Sequence, residues 1–596
     1  MTRQHTPISY VSGISDTPLK GQTIGDCFDD TVARFPDRDA LLSLHQGLRY
    51  TWAELQQAVD RAARALLAVG VGAGDRVGIW SPNCAEWTIT QFATAKIGAI
   101  LVNINPSYRT HELEYALKHS GASTLILQGA FKGSDYVATL AELAPELHEE
   151  KAPELHEELA PELHEEKAPE LHDEKAPELH DEKAPAPLSC ARLPELKRVV
   201  CLDAELALPG MLSWQGLLAH ADEVSAEQLA ERQATLQFDD PINIQYTSGT
   251  TGAPKGATLS HHNILNNGFF VARTMGFSER DRLVIPVPLY HCFGMVMGNL
   301  GCMTHGAAMI YPGDGFDPEA TLRAVAEEQA TALYGVPTMF IAELEHPDFE
   351  RYDLSTLRTG VMAGSICPIE VMRKVIERMH MQDVTICYGM TETSPVSFQT
   401  QTDAPLEKRV TTVGTIHPHL EVKLVSPETG AVVPRGETGE LCTRGYSVML
   451  GYWENEEATA RSIDGAGWMH TGDLATMDEE GYVAIVGRIK DMIIRGGENI
   501  YPREIEDFLY THPAISDVQV IGVPDEKYGE EVMAWVKLSE GESLTADELK
   551  EFCKGKIAHY KVPRYVKFVD EFPMTVTGKI QKFKMREEAT HELGLG

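Results

Sequence analysis

The amino-acid sequence predicts an α/β protein that is divided into several subdomains. Segments with strand patterns alternate with segments with helix patterns over about the first hundred residues, which is typical of a mainly parallel sheet covered by helices. A chain of 596 residues exceeds the size at which a single hydrophobic core stops growing. Nearer the C-terminus, apolar residues at alternate positions from Val518 and an apolar run over residues 532–536 predict a small α+β sheet.

The N-terminal elements can be assigned in chain order, and none carries obvious chemistry. Apolar residues with helical and strand periodicity alternate, and glycines punctuate them. The pattern predicts a helix over residues 24–35, a strand pair around 40–50, a helix from Thr51, a strand over 75–80, a helix over 86–97 and a strand over 99–102.

Composition and charge narrow the class of protein. The net charge of −36 argues against nucleic acid as a partner, because a phosphate backbone needs a basic surface. The first ten residues are polar, and no run of eighteen apolar residues occurs, so we expect a cytoplasmic protein with no transmembrane segment. The ten cysteines are scattered singly without a Cys-x-x-Cys pair, which favours reduced, mostly buried thiols.

Residues 144–183 repeat the motif Ala-Pro-Glu-Leu-His-Glu/Asp-Glu-Lys/Leu five times. A proline every eight residues interrupts any helix after about two turns, which is too short for an isolated helix to persist. The fifteen acids and four lysines of the repeats contribute −11 to the net charge. The five histidines could bind a metal weakly, but we predict that residues 144–187 are a disordered acidic insertion without function.

A phosphate-binding loop is predicted at residues 246–256, Tyr-Thr-Ser-Gly-Thr-Thr-Gly-Ala-Pro-Lys-Gly. Glycines let backbone N–H groups approach an anion closely, hydroxyls add neutral donors and Lys255 adds a positive charge. The loop is not an ordinary P-loop, because Lys255 lies between Pro254 and Gly256. A flexible surface loop is the alternative, but a strand-like run over residues 242–246 and a helix start at Ser260 favour a binding site.

At this loop the chain resembles the adenylate-forming superfamily of acyl-CoA synthetases, luciferases and peptide-synthetase adenylation domains. The resemblance extends from about Gln22 to Arg586, interrupted only by the repeats. It implies a large N-terminal domain of helix-covered sheets with a distorted barrel subdomain over residues 1–487, a hinge at 488–491, and a small mobile α+β domain over 492–596. It also implies that the β- and γ-phosphates of ATP are held by Thr247, Ser248, Gly249, Thr250, Thr251, Gly252 and Lys255.

A histidine follows the next buried strand, in the segment Pro-Leu-Tyr-His-Cys-Phe-Gly over residues 288–294. A lone histidine is more often structural than functional. The resemblance implies that His291 lies at the junction of the ATP and acyl sites. The apolar residues 295–303 suit one wall of a hydrophobic pocket, and a plain core helix is the alternative.

Three turns that follow apolar strands are expected to line the nucleotide, because open α/β sheets bind ligands at the carboxyl ends of their strands. Adenine needs a flat apolar face, and a hard cation between phosphates needs a carboxylate. The resemblance implies that residues 363–365 line adenine, that Tyr388 stacks on it, that Thr391 contacts the α-phosphate, and that Glu392 reaches magnesium. The candidate residues are Ala363, Gly364, Ser365, Cys387, Tyr388, Gly389, Thr391 and Glu392.

The remaining candidates lie nearer the C-terminus. Asp473 and Arg488 are expected to hold the ribose hydroxyls, although such a pair is commonly only an ion pair at the surface. The resemblance places the hinge at Lys490 and the catalytic lysine of adenylation at Lys579, on the turn Pro-Met-Thr-Val-Thr-Gly-Lys-Ile. The tunnel for the pantetheine arm of CoA is expected at Arg495, Gly496, Gly497 and Glu498.

These observations predict an ATP-dependent acyl-CoA ligase, most similar to the medium-chain fatty acyl-CoA synthetases. The predicted cofactors are ATP and Mg²⁺, with CoA as co-substrate, and the sequence leaves room for a homodimer. The chemistry needs positive charge and positioning rather than a covalent nucleophile, so no Ser-His-Asp set is required. The alternatives are loading of a carrier-protein thiol, another carboxylic acid-CoA ligase, and an inactive nucleotide-binding scaffold, which the presence of Lys255, Glu392 and Lys579 disfavours.

Overall fold

The computed structural model describes residues 7–149, 187–247, 254–364, 367–495, 498–574 and 580–595. The strands are β1 (Tyr10–Ser12), β2 (Asp39–Ser43), β3 (Leu48–Thr51), β4 (Arg76–Trp80), β5 (Ile100–Asn103), β6 (Thr124–Leu127), β7 (Ala130–Phe131), β8 (Ser134–Asp135), β9 (Arg198–Cys201), β10 (Leu212–Ser213), β11 (Pro241–Thr247), β12 (Lys255–Ser260), β13 (Arg282–Val284), β14 (Ala308–Tyr311), β15 (Ala332–Gly335), β16 (Thr359–Ala363), β17 (Asp383–Gly389), β18 (Val396–Gln399), β19 (Thr415–Ile416), β20 (Leu420–Val425), β21 (Gly439–Gly445), β22 (Gly451–Tyr452), β23 (Met469–Met477), β24 (Val483–Arg488), β25 (Ile493–Arg495), β26 (Glu498–Ile500), β27 (Ile515–Asp525), β28 (Gly529–Leu538) and β29 (Tyr565–Phe568).

The helices cover both large sheets and the C-terminal sheet. They are α1 (Ile24–Arg34), α2 (Trp52–Ala68), α3 (Ala85–Ile97), α4 (Thr110–Ser120), α5 (Tyr136–Leu143), α6 (Trp214–Ala219), α7 (Ala226–Gln233), α8 (His261–Thr274), α9 (Gly301–His305), α10 (Pro318–Glu327), α11 (Pro337–Leu344), α12 (Ile369–Arg378), α13 (Leu406–Thr411), α14 (Glu456–Ser462), α15 (Pro502–Leu509), α16 (Ala546–Cys553) and α17 (Lys582–Glu592).

Two large mixed sheets form the body of the molecule. The first has the strand order β10-β9-β6-β4-β5-β11-β12-β22 and is parallel from β10 to β11. The second has the order β19-β18-β17-β16-β15-β13-β14-β2-β3 and is parallel from β17 to β2. The prediction of an α/β protein with helix-covered, mainly parallel sheets is therefore confirmed, and the predicted N-terminal elements agree with α1 to β5 within two residues.

The third sheet is antiparallel, with the order β1-β20-β21-β23-β24. Among the described strands no pair joins its two edges, so the subdomain predicted as a distorted barrel is an open sheet. A closed barrel would require β1 and β24 to exchange hydrogen bonds. The C-terminal sheet has the order β26-β25-β28-β27, with β29 parallel to β28, and the short helical turn Ile489–Asp491 connects it to β24.

The first copy of the repeat is part of the folded domain. Residues Pro145–His148 form a 3₁₀ turn directly after α5, and Leu147 is fully buried. The backbone N–H of Gly210 donates to the carbonyl of Leu147 at 2.8 Å. The prediction of disorder from residue 144 is therefore wrong for residues 144–149, because Leu147 packs into a hydrophobic cluster beneath α4 and α5. The later copies, residues 150–186, lie outside the described part of the chain.

The cysteines and the membrane prediction can also be checked. All ten cysteines are buried and free, as predicted from their spacing. Of the helices that the structure describes, none has the length and apolar content needed to cross a bilayer.

One buried carboxyl in α11 gives a pH-dependent prediction. Both oxygens of Glu343 are buried without a hydrogen-bond donor among the described residues, and burial raises the pKa of this carboxyl well above its ordinary value. The unfolded chain therefore releases the proton first as pH rises, and stability falls by about 1.4 kcal/mol per pH unit between the unfolded and folded pKa values.

Glu343→Leu should therefore raise the Tm, and by more at about pH 8 than at about pH 5, because only the wild type loses stability over this interval. Thermal melts at the two pH values test this, with Glu345→Leu, at the exposed residue directly after the same helix, as the control. Equal Tm changes at both pH values for Glu343→Leu would contradict the prediction.

Candidate active site

The predicted phosphate loop is the connection of a β-hairpin. Thr247 at the end of β11 pairs with Lys255 at the start of β12, and Tyr246 pairs with Gly256. The strand before the loop and the helix start at Ser260 are confirmed, and the Ser260 side chain accepts from the N–H of Asn263. Sequence reasoning missed β12 itself. Five predicted phosphate ligands of the connection lie outside the described residues: Ser248, Gly249, Thr250, Thr251 and Gly252.

Glu392 lies beside this hairpin, on the 3₁₀ turn Thr391–Thr393 that follows β17. Its carboxylate is buried, and Oε1 accepts from the Tyr452 hydroxyl at 2.8 Å and lies 3.4 Å from the Thr247 hydroxyl. The ammonium of Lys255 lies 4.9 Å from the centre of the Tyr452 ring. The fold therefore brings Thr247, Lys255 and Glu392 together, although they are distant in sequence.

The predicted ribose residues form one hydrogen-bonded unit. Asp473 on β23 pairs directly with Arg488 on β24, and Arg488 Nε donates to Asp473 Oδ1 at 3.1 Å. The Tyr388 hydroxyl donates to the other oxygen, Oδ2, at 2.6 Å. Burial and the neighbouring Asp473 raise the pKa of Tyr388 well above its usual range, so this phenol stays a donor. Asp473 is mostly buried, unlike the exposed ion pair that was the alternative.

The residues predicted to line adenine lie at adjacent strand ends. Ala363 at the end of β16 pairs with Cys387 on β17, and both are buried. Gly364 has φ +90°, a backbone conformation that residues other than glycine rarely adopt. A Cβ atom on Gly389 would lie 1.8 Å from the carbonyl oxygen of Pro395, so only glycine fits there. Ser365 lies outside the described residues.

His291 precedes a wide helix of π geometry, Phe293–Leu300, which continues into α9. The N–H of Phe293 lies 3.2 Å from His291 Nδ1. A Cβ atom on Gly294 would approach the carbonyl oxygen of Pro288 to 2.4 Å, so glycine lets this helix start close to the segment that follows β13. The apolar segment after His291 is buried in the main core cluster, and π geometry within helices is frequent at functional sites.

The structure describes only some of the residues predicted to form the hinge and the CoA tunnel. Lys490 lies on the turn Ile489–Asp491 between the open sheet and the C-terminal sheet, as expected for a connection between domains. The guanidinium of Arg495 donates twice to Glu531, each time at 2.8 Å, and stacks 4.1 Å above the Tyr528 ring. Gly496, Gly497 and the Glu498 side chain lie outside the described residues.

Lys579 also lies outside the part of the chain that the structure describes. Its setting is partly described, because Met574 and Ile580 pair as a single antiparallel bridge. The predicted tight turn between these two residues stays a prediction.

Sequence reasoning missed Tyr452, which contacts both Glu392 and Lys255, the charged residues of the predicted phosphate site. No sequence motif indicates this tyrosine, because its contacts are not local. Glu392 lies 60 residues earlier in the chain, and Lys255 lies on β12, which pairs with β22. Burial, followed by the charge of Glu392, raises the pKa of the Tyr452 phenol above its ordinary value. The phenol therefore remains protonated and orients the carboxylate.

Tyr452→Phe should lower kcat/KM by about 10-fold to 150-fold, because a hydrogen bond to a charged group contributes about 1.5–3 kcal/mol. The ring that faces Lys255 is retained, so the loss reports on Glu392 alone. Pyrophosphate release measures the effect. Tyr446→Phe is the matched control, since the buried Tyr446 hydroxyl has no hydrogen-bond partner among the described residues. Equal activity in both variants would show that Tyr452 does not orient Glu392.

Comparison with known proteins places this site in a family. A model of the AMP-binding enzyme family matches residues 28–453, and a model of the AMP-binding enzyme C-terminal domain matches residues 504–579. The protein YngI of Bacillus subtilis (strain 168) is 50% identical over 96% of this chain and 98% of its own length. The medium-chain acyl-CoA ligase ACSF2, mitochondrial, of Danio rerio is 46% identical over 98% of this chain and 91% of its own.

Solved structures with the same fold are also enzymes of this kind, as the following example shows. The anthranilate CoA ligase AuaEII in complex with anthranoyl-AMP superposes with a TM-score of 0.78 at 26% identity, covering 97% of this chain and 99% of that one. The name of the Danio rerio relative places that protein in the mitochondrion, so the cytoplasmic location of this chain stays a prediction. The first family match covers the hairpin of β11 and β12 together with Glu392, the second covers strands β27 to β29 of the C-terminal sheet, and the chain belongs to the AMP-binding enzyme family.

Proposed function

We propose that the protein is an ATP-dependent acyl-CoA ligase that activates a medium-chain fatty acid. The carboxylate attacks the α-phosphorus of ATP, pyrophosphate leaves, and an acyl-adenylate forms. The thiol of CoA then attacks the acyl carbon, its proton passes to solvent, and AMP leaves with the electron pair of the acyl–oxygen bond. Adenylation is necessary because direct attack on the free carboxylate would have to expel an oxide ion.

The observation that carries the proposal is the cluster formed by Thr247, Lys255 and Glu392 around Tyr452. The ammonium of Lys255 neutralises phosphate oxygens, and it acts in a site whose buried walls reduce screening by water. Asp473 complements this cluster at the nucleoside end. A carboxylate has about four lone-pair sites, so Asp473 can accept from ribose hydroxyls while it holds Tyr388 and Arg488.

The residues present also fit a magnesium ion. Magnesium prefers carboxylate oxygens together with substrate phosphates, and Glu392 offers Oε2, which accepts no hydrogen bond from any described residue. Glu392 would hold the ion. When bound, magnesium supplies positive charge against the phosphate oxygens.

The choice of fatty acid and of CoA is supported by the names of relatives, several of which are medium-chain acyl-CoA ligases. Pyrophosphate release and thioester formation should be measured over a series of fatty acids of increasing chain length, with anthranilate as an aromatic comparison. CoA, a carrier protein with a phosphopantetheine thiol, or no thiol would be supplied. We expect the highest kcat/KM for medium chains with CoA.

Other outcomes of this experiment identify the alternatives. Thioester formation only on the carrier protein would show that the acyl acceptor is the carrier-protein thiol and not CoA. A preference for anthranilate would show that the substrate is an aromatic acid and not a fatty acid. Absence of pyrophosphate release with every acid would exclude adenylation.

A hinge at Lys490 gives a further prediction. The adenylation step requires Lys579, and the thioester step requires the turn after Arg495. A domain rotation between the two steps concentrates its backbone change in a few residues. Proline fixes φ near −65° and also restricts the residue before it. Lys490→Pro should therefore retain pyrophosphate release while the thioester step falls strongly.

The matched control is Lys490→Ala, which removes the side chain but leaves the backbone free, and it should retain both steps. Normal thioester formation by Lys490→Pro would show that the pivot lies elsewhere. Loss of both steps with a changed circular dichroism spectrum would indicate misfolding, and loss of both with an unchanged spectrum would contradict the predicted sequence of domain positions.

A further inference from the structure

A cluster of metal-ligating side chains lies on the open antiparallel sheet, outside the proposed active site. Cys442 on β21 pairs with His470 on β23, so both side chains project from the same face. Glu440 lies two residues before Cys442 on that face. One donor atom from each of Glu440, Cys442 and His470 can be chosen so that all three lie within 4.8 Å of one another.

The separations suit a tetrahedral metal ion. His470 Nδ1 lies 2.9 Å from Glu440 Oε2 and 3.4 Å from Cys442 Sγ. Ligand bonds of about 2.0–2.3 Å in a tetrahedral zinc site place neighbouring donor atoms about 3.3–3.8 Å apart. Small side-chain rotations would therefore bring the three donors to coordination distance, without a change in the strands that carry them.

Neighbouring groups already orient two of the three donors. The N–H of Gly472 donates to Glu440 Oε1 at 3.2 Å, which turns Oε2 towards the histidine and cysteine. His470 Nε2 lies 3.8 Å from Asp464 Oδ2, and the backbone N–H groups of Ala466 and Trp468 donate to the other oxygen of Asp464. A carboxylate behind the second ring nitrogen is the usual support of a histidine ligand.

Charge and exposure also fit a divalent cation. Glu440, Asp464 and an ionised Cys442 outweigh the positive charges of Lys423 and Arg444, which lie over the Trp468 ring at 4.4 Å and 4.5 Å, and Arg444 is already paired with Glu421. Cys442 is fully buried, whereas the His470 side chain is 32% exposed. An ion can therefore enter from the histidine side, where a water molecule completes the coordination.

We propose that Glu440, Cys442 and His470 bind a zinc-type divalent cation. A thiolate, an imidazole and a carboxylate together favour zinc, or cobalt as its substitute, over magnesium and calcium, which prefer oxygen ligands. When the ion binds, the Cys442 thiol proton and any proton on His470 Nδ1 pass to solvent, and no oxidation state changes. Because the N–H of Gly472 donates to Glu440 and Gly472 precedes Asp473 on β23, the ion also fixes the part of this strand that carries the proposed ribose residue.

The test uses Co²⁺ added to the full-length protein after dialysis against a chelator. A cobalt thiolate gives a charge-transfer absorption in the near ultraviolet, and we expect this band to saturate at one ion per chain and to disappear when Zn²⁺ is added. The histidines of the repeats cannot produce the band, because residues 144–187 contain no cysteine. Cys442→Ser should abolish it, and Cys553→Ser, which removes a buried thiol elsewhere, should keep it.

Two further variants keep the proposal falsifiable if Cys442→Ser fails to fold. His470→Gln should abolish the band, and Asp464→Asn should weaken Co²⁺ binding about tenfold or more, as loss of a supporting carboxylate does. Absence of the band in the wild type, or its persistence in folded Cys442→Ser or His470→Gln, would overturn the proposal and leave a hydrogen-bonded cluster.

Discussion

Lys579→Ala is expected to slow acyl-adenylate formation by about 100-fold to 1,000-fold, the cost of removing one preorganised group that stabilises developing charge. Family resemblance assigns this lysine to adenylation, and the described residues Met574 and Ile580, which pair with each other, flank it in the sequence. Its charge matters where pyrophosphate departs and not where the thiol attacks. Conversion of supplied acyl-adenylate to thioester should therefore be nearly unchanged.

Single-turnover assays of the two half-reactions measure this difference. Lys584→Ala, five residues further along the chain and exposed, removes the same charge outside the turn and should leave both rates unchanged. If Lys579→Ala slowed both half-reactions equally, the lysine would be structural, or the two steps would share one geometry.

Glu392→Gln should raise the Mg²⁺ concentration needed for half-maximal adenylation, with a large loss of rate at low magnesium. Glutamine keeps the size of the side chain and can still accept from Tyr452, but it removes the charge that a hard cation requires. Titration of Mg²⁺ at saturating ATP, with pyrophosphate release as the signal, gives the shift. The thermal melt should change little, because the hydrogen bond to Oε1 can be kept.

Glu437→Gln, an exposed carboxylate outside the cluster, is the matched control and should leave the magnesium titration unchanged. An unchanged titration in Glu392→Gln would place the magnesium ligand elsewhere. Loss of activity that no magnesium concentration restores would assign Glu392 a role beyond binding the ion.

Local signals in the sequence were sufficient for elements with strong caps or clear periodicity. Ser260 and Asn263 form a capping box, which fixes the start of α8 from four residues alone. The roles of Asp473 and Arg488 came from resemblance, and their strand pairing places them side by side. A short sequence pattern such as a capping box can predict the start of a helix, because the hydrogen bonds that form the cap join neighbouring residues.

Long-range packing explains what the sequence did not reveal. Nothing near Tyr452 indicates that its hydroxyl reaches Glu392, since strand pairing in the folded chain creates that contact. The openness of the third sheet depends on whether two distant edges meet, and the hydrophobic pattern of each strand is the same in either case. For the first repeat copy, order comes from the apolar cluster that receives Leu147, while its own sequence equals that of a later copy.

The docked first octapeptide has an evolutionary consequence. Each of the five copies begins with the same Ala-Pro-Glu-Leu-His, so any of them can supply the leucine that occupies the place of Leu147. A deletion or duplication of whole units in the gene would thus preserve the residues that follow α5, provided that one copy remains. Slippage during DNA replication, which adds or removes whole repeated units, therefore preserves the leucine at this point, whereas the loss of part of the first unit would place a different residue against Gly210.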